Sequence, residues 1–88
     1  MNFLVICRRA PDGDTDAFAR LVASERAVLR KLHGDGILTS SWSPGGPGAV
    51  LILDLPDQVA VERITSELPL AAAGLITTEV IPLHPLDF

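Results

Sequence analysis

The segment NFLVICR (Asn2–Arg8) is apolar on both of its alternating faces: Phe3, Val5 and Cys7 on one, Leu4 and Ile6 on the other. Its Val, Ile and Phe content predicts a strand, and a strand with two apolar faces must be covered on both. AVLILDL (Ala49–Leu55) is a nearly continuous apolar strand of the same kind. The rest of the chain therefore has to supply two covers, and the fold depends on where they come from.

One cover is helical. After the loop APDGD, Asp14 or Thr15 stands where a cap is wanted, and a helix is expected to about His33. Gly34 and Gly36 end it, with His33 near the negative end of the helix dipole. At about 100° per residue, Phe18, Leu21, Val22, Val28, Leu29 and Leu32 gather on one side. ILTSSW (Ile37–Trp42) reads as a second strand, SPGGPG as a turn, and Ala49–Leu55 as the third strand. Pro56 and Asp57 open a second helix with Val61, Ile64 and Leu68 on its inner face, and Pro69 is expected to stop it. LITTEVIPL (Leu75–Leu83) is the last strand, followed by the tail HPLDF.

The order β-α-β-β-α-β predicts an α+β fold, the ferredoxin-like split βαβ, with four antiparallel strands and both helices on one face. The second cover is then outside this arrangement. Sheet-to-sheet pairing with another copy, giving a dimeric α/β barrel, is the expected solution.

Composition narrows the function. The 88 residues suffice for one domain, residues 1–88, and for no more. A domain of this size buries only about 60–65% of its extended surface, yet 48% of the residues are hydrophobic. That surplus also points to a homo-oligomer, a dimer or an assembly of dimers. A net charge of −4 argues against a nucleic-acid partner, which needs a basic footprint. No apolar run is long enough for a membrane span and no leader pattern is recognised, so a cytoplasmic domain is expected. The one cysteine excludes an internal disulfide, and Cys7, His33 and His84 lack metal-ligand spacing. No metal is expected.

Glu25 is the residue that demands an explanation. It falls near the centre of the apolar stripe of the first helix, where a carboxylate is costly unless paired, hydrogen-bonded or protonated. It is a general base whose pKa is lifted by burial, a side chain that bends out to solvent, or a structural partner of a basic side chain such as Arg8 or Arg26. A ligand pocket between the first helix and the sheet is expected around it, lined by Leu21, Val28, Trp42 and the segment Leu68–Leu70, with Ser40 on the adjoining strand. Ser40 and Ser41 alternate, so at most one faces the helices, and neither has the setting of a nucleophile. His84 lies in the tail and would reach a site only by crossing to a neighbouring subunit. Glu79 is expected to be exposed or paired.

Glu25 followed by Arg26, then Gly36, Trp42, Asp54, LPL (Leu68–Leu70) and EVIPL with HP (Glu79–Pro85) together resemble the muconolactone isomerases along nearly the whole chain. The resemblance implies a dimeric α/β barrel within a larger oligomer. It also implies a cofactor-free enzyme that moves a double bond in a small unsaturated lactone, with Glu25 matching the family's helix Glu as candidate catalytic base. Leu21, Val28, Ser40, Trp42, Leu68, Leu70 and His84 are the candidate substrate-binding residues. Family members carry an Arg-His pair just before the Trp, where this chain has Thr39 and Ser40, and an aromatic segment after LPL, where it has AAAGLI. The expected ligand is therefore a more apolar lactone, enol or polyketide-like molecule. The expected function is a cofactor-independent isomerase or cyclase; the alternative is a non-catalytic small-molecule-binding or scaffold protein of the same barrel type.

Overall fold

The computed structural model describes residues 1–88, which form β1 (Asn2–Arg9), α1 (Thr15–Gly34), β2 (Leu38–Trp42), β3 (Ala49–Asp54), α2 (Gln58–Ser66), α3 (Pro69–Ala72) and β4 (Ile76–Leu83). All strand pairings are antiparallel and the sheet order is β2-β3-β1-β4, which places the two doubly apolar strands at the centre as their composition requires. Pro82 lies in β4, an edge strand, where a missing N–H is tolerated. No helix is long and apolar enough to cross a membrane.

Local chemistry sets the helix ends. Asp14 Oδ1 accepts from the N–H groups of Asp16 (2.8 Å) and Ala17 (3.3 Å), satisfying donors that α1 leaves unpaired. Gly36, at φ +77°, turns the chain out of α1 toward β2. Asp57 caps α2 through Ala60 N–H at 2.8 Å.

Pro69 does more than stop α2. It disfavours the helical region for the residue before it, and Leu68 is extended at φ −58°, ψ 134°. Its fixed φ also suits the first turn of a helix, and Pro69 starts the four-residue α3. This extra turn, absent from the sequence expectation, has no side-chain cap of its own. Its N-terminal donors must find acceptors elsewhere.

The register divides the sheet into two faces. Phe3, Val5 and Cys7 pair with Leu53, Leu51 and Ala49 on the face that packs against Phe18, Leu21, Leu29, Leu32 and Val61. Phe3, Val5, Leu51, Leu53, Val61 and Leu68 are almost fully buried there. The opposite face carries Leu4 and Ile6 of β1, Val50 and Ile52 of β3, and Ile81 and Leu83 of β4. Nothing in the chain covers it: Ile81 and Leu83 are exposed and the other four only half-buried.

Candidate functional site

Among the twenty residues of α1, Glu25 is the only one that is fully buried, at 8% exposure. Its Oε1 accepts the backbone N–H of Leu70 at 3.1 Å, so it supplies from across the core the cap that α3 lacks. No donor of the chain reaches Oε2. Arg8 instead donates to Glu79 at 3.0 Å on the uncovered face of the sheet, and Arg26 has no carboxylate within ion-pair distance. Glu25 is thus held by a hydrogen bond and not by a cation. Burial raises its pKa above the ordinary glutamate value, and the Leu70 N–H, which favours the ionised form, offsets part of that rise.

Glu25 borders a cavity of about 250 Å³ between α1 and the sheet. Phe18, Val22 and Leu29 of α1 line it with Glu25; Cys7 of β1, Ala49 and Leu51 of β3, Leu70 of α3 and Ile76 of β4 close it, and Pro47 and Gly48 form its rim. The lining is mostly apolar and the volume lies below the usual range for drug-sized ligands, which suits a single-ring molecule. Cys7 is no nucleophile here. Burial, with a contribution from the Glu25 charge, pushes its thiol up to about 11, so it stays protonated.

Helix geometry explains which α1 residues meet the cavity. Relative to Glu25, Phe18, Leu29 and Val22 lie about 20°, 40° and 60° around the helix in one direction, whereas Leu21 and Val28 lie about 40° and 60° in the other. The cavity occupies one flank of the stripe. Leu21 packs into the core on the other flank, Val28 is half-buried there, and neither lines the cavity. Leu70 does line it, while Leu68 is buried and forms no part of its wall. Phe18, Val22, Glu25 and Leu29 form the flank that meets the cavity, and nothing in the nearly symmetric stripe singles that flank out.

Trp42 and Ser40 are not at this cavity. Leu38 faces the helices opposite Leu53, and simple alternation would bring Ser40 and Trp42 to the same side. The register shifts between Leu38 and Ser40, and this bulge reverses the faces of the remaining β2 residues. Ser40 pairs with Ile52 and Trp42 with Val50 on the uncovered face, where Trp42 is 66% exposed. Ser41 is turned toward α1 instead. His84 borders a separate hollow with Asn2, Thr39 and Ile52, on the side of the sheet away from Glu25 of the same chain. No group of three or more His, Cys, Asp or Glu is placed to hold a metal ion.

Gly48 fixes the cavity rim. It sits at φ +121°, and a Cβ there would lie 2.6 Å from the carbonyl oxygen of Cys7. Gly48→Ala combines a strained φ with a backbone clash and is expected to cost roughly 2–5 kcal/mol. The denaturation midpoint should fall accordingly; an unchanged midpoint would show that the rim can relax.

Comparison with known proteins agrees with this architecture. No curated protein matches the chain. Among solved structures, muconolactone isomerase superimposes with a TM-score of 0.79 and 26% identity, over 99% of this chain and 94% of that one. The 5-chloro-2-hydroxyhydroquinone dehydrochlorinase of Burkholderia phenoliruptrix, solved in complex with 2,5-dihydroxybenzoquinone, shares the fold at a TM-score of 0.77 and 21% identity, over 96% of this chain and 94% of that one. The family model of muconolactone delta-isomerase matches residues 1–87. With the split βαβ sheet and a helix glutamate set at a cavity, that match places the chain in the muconolactone delta-isomerase family.

Proposed function

We propose that this protein is a cofactor-independent isomerase, or a cyclase using the same proton transfers, acting on a small unsaturated lactone or enol of largely apolar character. The observation that carries this reading is the state of Glu25: one carboxylate oxygen is fixed by Leu70 N–H and the other is without a protein donor at an apolar cavity. A base in this setting has a pKa lifted toward the range where proton transfer near neutral pH is efficient. The ionised carboxylate takes a proton from the carbon next to the ring oxygen, the double bond shifts, and the resulting carboxylic acid returns a proton at the far end of the allylic system. The reaction is redox-neutral and regenerates the base.

The second copy belongs to the same proposal. The uncovered sheet face, with Leu4, Ile6, Val50, Ile52, Ile81 and Leu83, takes the equivalent face of another subunit and closes a dimeric α/β barrel. In that assembly Trp42 is an interface residue, and His84 is available to a neighbour.

Proton abstraction is testable without knowing the natural substrate. Simple unsaturated lactones and enols incubated with the protein in heavy water should incorporate deuterium at the allylic carbons faster than in buffer alone, read by NMR. Lactones that bind without exchange would instead favour a non-catalytic binding protein of the same fold.

A further inference from the structure

One residue interrupts the helical run from Gln58 to Ala73. α2 ends at Ser66, its C-cap Glu67 is still helical at φ −88°, ψ −8°, and α3 resumes at Pro69. Leu68 between them is extended, the conformation that a following proline favours. Its neighbours would continue the helix: Leu70, Ala71, Ala72 and Ala73 are all good helix formers. Pro69 therefore splits what would otherwise be one helix.

The split decides where one hydrogen bond goes. In an unbroken helix the Leu70 N–H would bond the carbonyl of Ser66, four residues back. Restarting the helix at Pro69 makes Leu70 a first-turn residue, whose N–H has no partner within its own helix. That N–H reaches across 45 positions of sequence to Oε1 of Glu25 at 3.1 Å, a buried bond. No cation lies within ion-pair distance of Glu25, so this amide is what fixes the carboxylate. Cys7 of β1 and Arg26 of α1 are the other titratable side chains at the cavity, and β3, α3, β4 and the rim contribute none.

We propose that Pro69 is a positioning residue for Glu25: by starting α3 it frees the Leu70 N–H to hold Oε1, and so leaves Oε2 as the free basic oxygen. The inference rests on the proposed role of Glu25 as base and adds what aims it. The bond favours the ionised carboxylate and opposes the rise that burial causes. Pro69 thus sets both the orientation of the base and the ease with which it ionises.

The test follows the Glu25 carboxyl by carbon-13 NMR through a pH titration, which needs no substrate. Replacing the amide between Pro69 and Leu70 by an ester removes this one donor and keeps every side chain. The Glu25 titration should then move to higher pH. Pro69→Ala, which lets α2 run on and hands the Leu70 N–H to Ser66, should move it the same way. An ester at Ala72, whose N–H bonds Leu68 at 2.8 Å inside α3, should leave it in place. Deuterium exchange into a simple unsaturated lactone should fall by about tenfold to a hundredfold in the Leu70 ester and in Pro69→Ala, the scale of a small misplacement of a reacting group. The acid limb of its pH profile should move upward as well, which a loss of folded protein would not cause. An unmoved or lowered titration in either protein, or an equal move with the Ala72 ester, would overturn the proposal. If Pro69→Ala does not fold, the two esters decide it. A moved titration with no exchange even in the parent protein removes the isomerase reading and keeps Pro69 in its place. Exchange in the parent protein with an unmoved titration removes the role of Pro69 alone.

Discussion

Glu25→Gln is expected to lower turnover by about two to four orders of magnitude, while the protein melts at the same temperature or higher. The substitution keeps shape and keeps an amide oxygen that can accept from Leu70 N–H, so the cap of α3 survives. What it removes is the proton acceptor. A structural ion pair would behave oppositely, because losing one partner of a buried pair strands the other and costs roughly 3–5 kcal/mol. That route is closed here, since neither Arg8 nor Arg26 is paired with Glu25. Glu25→Ala is the contrasting variant: it leaves the Leu70 donor without its acceptor, at about 1–3 kcal/mol. The pH dependence gives the same separation. Because the folded-state pKa of Glu25 is raised, mainly by burial, the native state holds this proton more tightly than the unfolded chain. Its contribution to stability is complete below the ordinary glutamate pKa and is lost as pH rises through the raised one. A glutamine at this position does not titrate and has no such loss, so the stability advantage of the variant should widen across that window and then level off. Denaturant melts of both proteins across the window measure it. A clear drop in melting temperature for Glu25→Gln, or turnover within a few-fold of the parent protein, would count against Glu25 as the base.

How far the sequence discloses such a site depends on which periodicity carries the information. The doubly apolar β1 and β3 and the stripe of α1 are signals repeated over many residues, and they place the sheet centre, its helical cover and Glu25 itself. Single-residue events are where pattern reading loses its grip. Pro69 has one physical effect, excluding the helical region for Leu68, and that effect both ends α2 and permits α3. Reading it only as a stop hides the turn that brings Leu70 N–H to Glu25. The bulge after Leu38 is likewise invisible in LTSSW, since no Gly or Pro marks it, yet it exchanges the faces of Ser40, Ser41 and Trp42. The flank of α1 that meets the cavity is set by where α3 and the Gly48 rim leave space, not by the stripe, which is nearly symmetric about Glu25.

Ile52→Asp is expected to abolish assembly and to leave a monomer that is unfolded or melts far below the parent protein. Ile52 sits on β3 opposite Leu4 on one side and Ser40 on the other, in the middle of the uncovered face. Full burial of an aliphatic side chain is worth about 1.5–3 kcal/mol. Leu4, Ile6, Val50 and Ile52 are partly buried already and Ile81 and Leu83 are 36% exposed, so each gains at most about a third of that on being covered. Six such side chains give on the order of 3–6 kcal/mol per subunit, or about 6–12 kcal/mol for two faces brought together. Association costs about 4–15 kcal/mol, so the apolar gain is of the size a stable dimer needs. In a two-fold interface the substitution enters twice, placing two carboxylates in a dry sheet-to-sheet layer where each is unpaired. The helix-side core of Phe3, Val5, Leu51 and Leu53 is untouched, which isolates the effect to the outer face. Sedimentation at micromolar concentration should find the parent protein as a dimer or a multiple of dimers with no folded monomer. A parent protein that sediments as a stable folded monomer would remove the barrel dimer, and with it the interface role of Trp42 and any route for His84 into a neighbouring site.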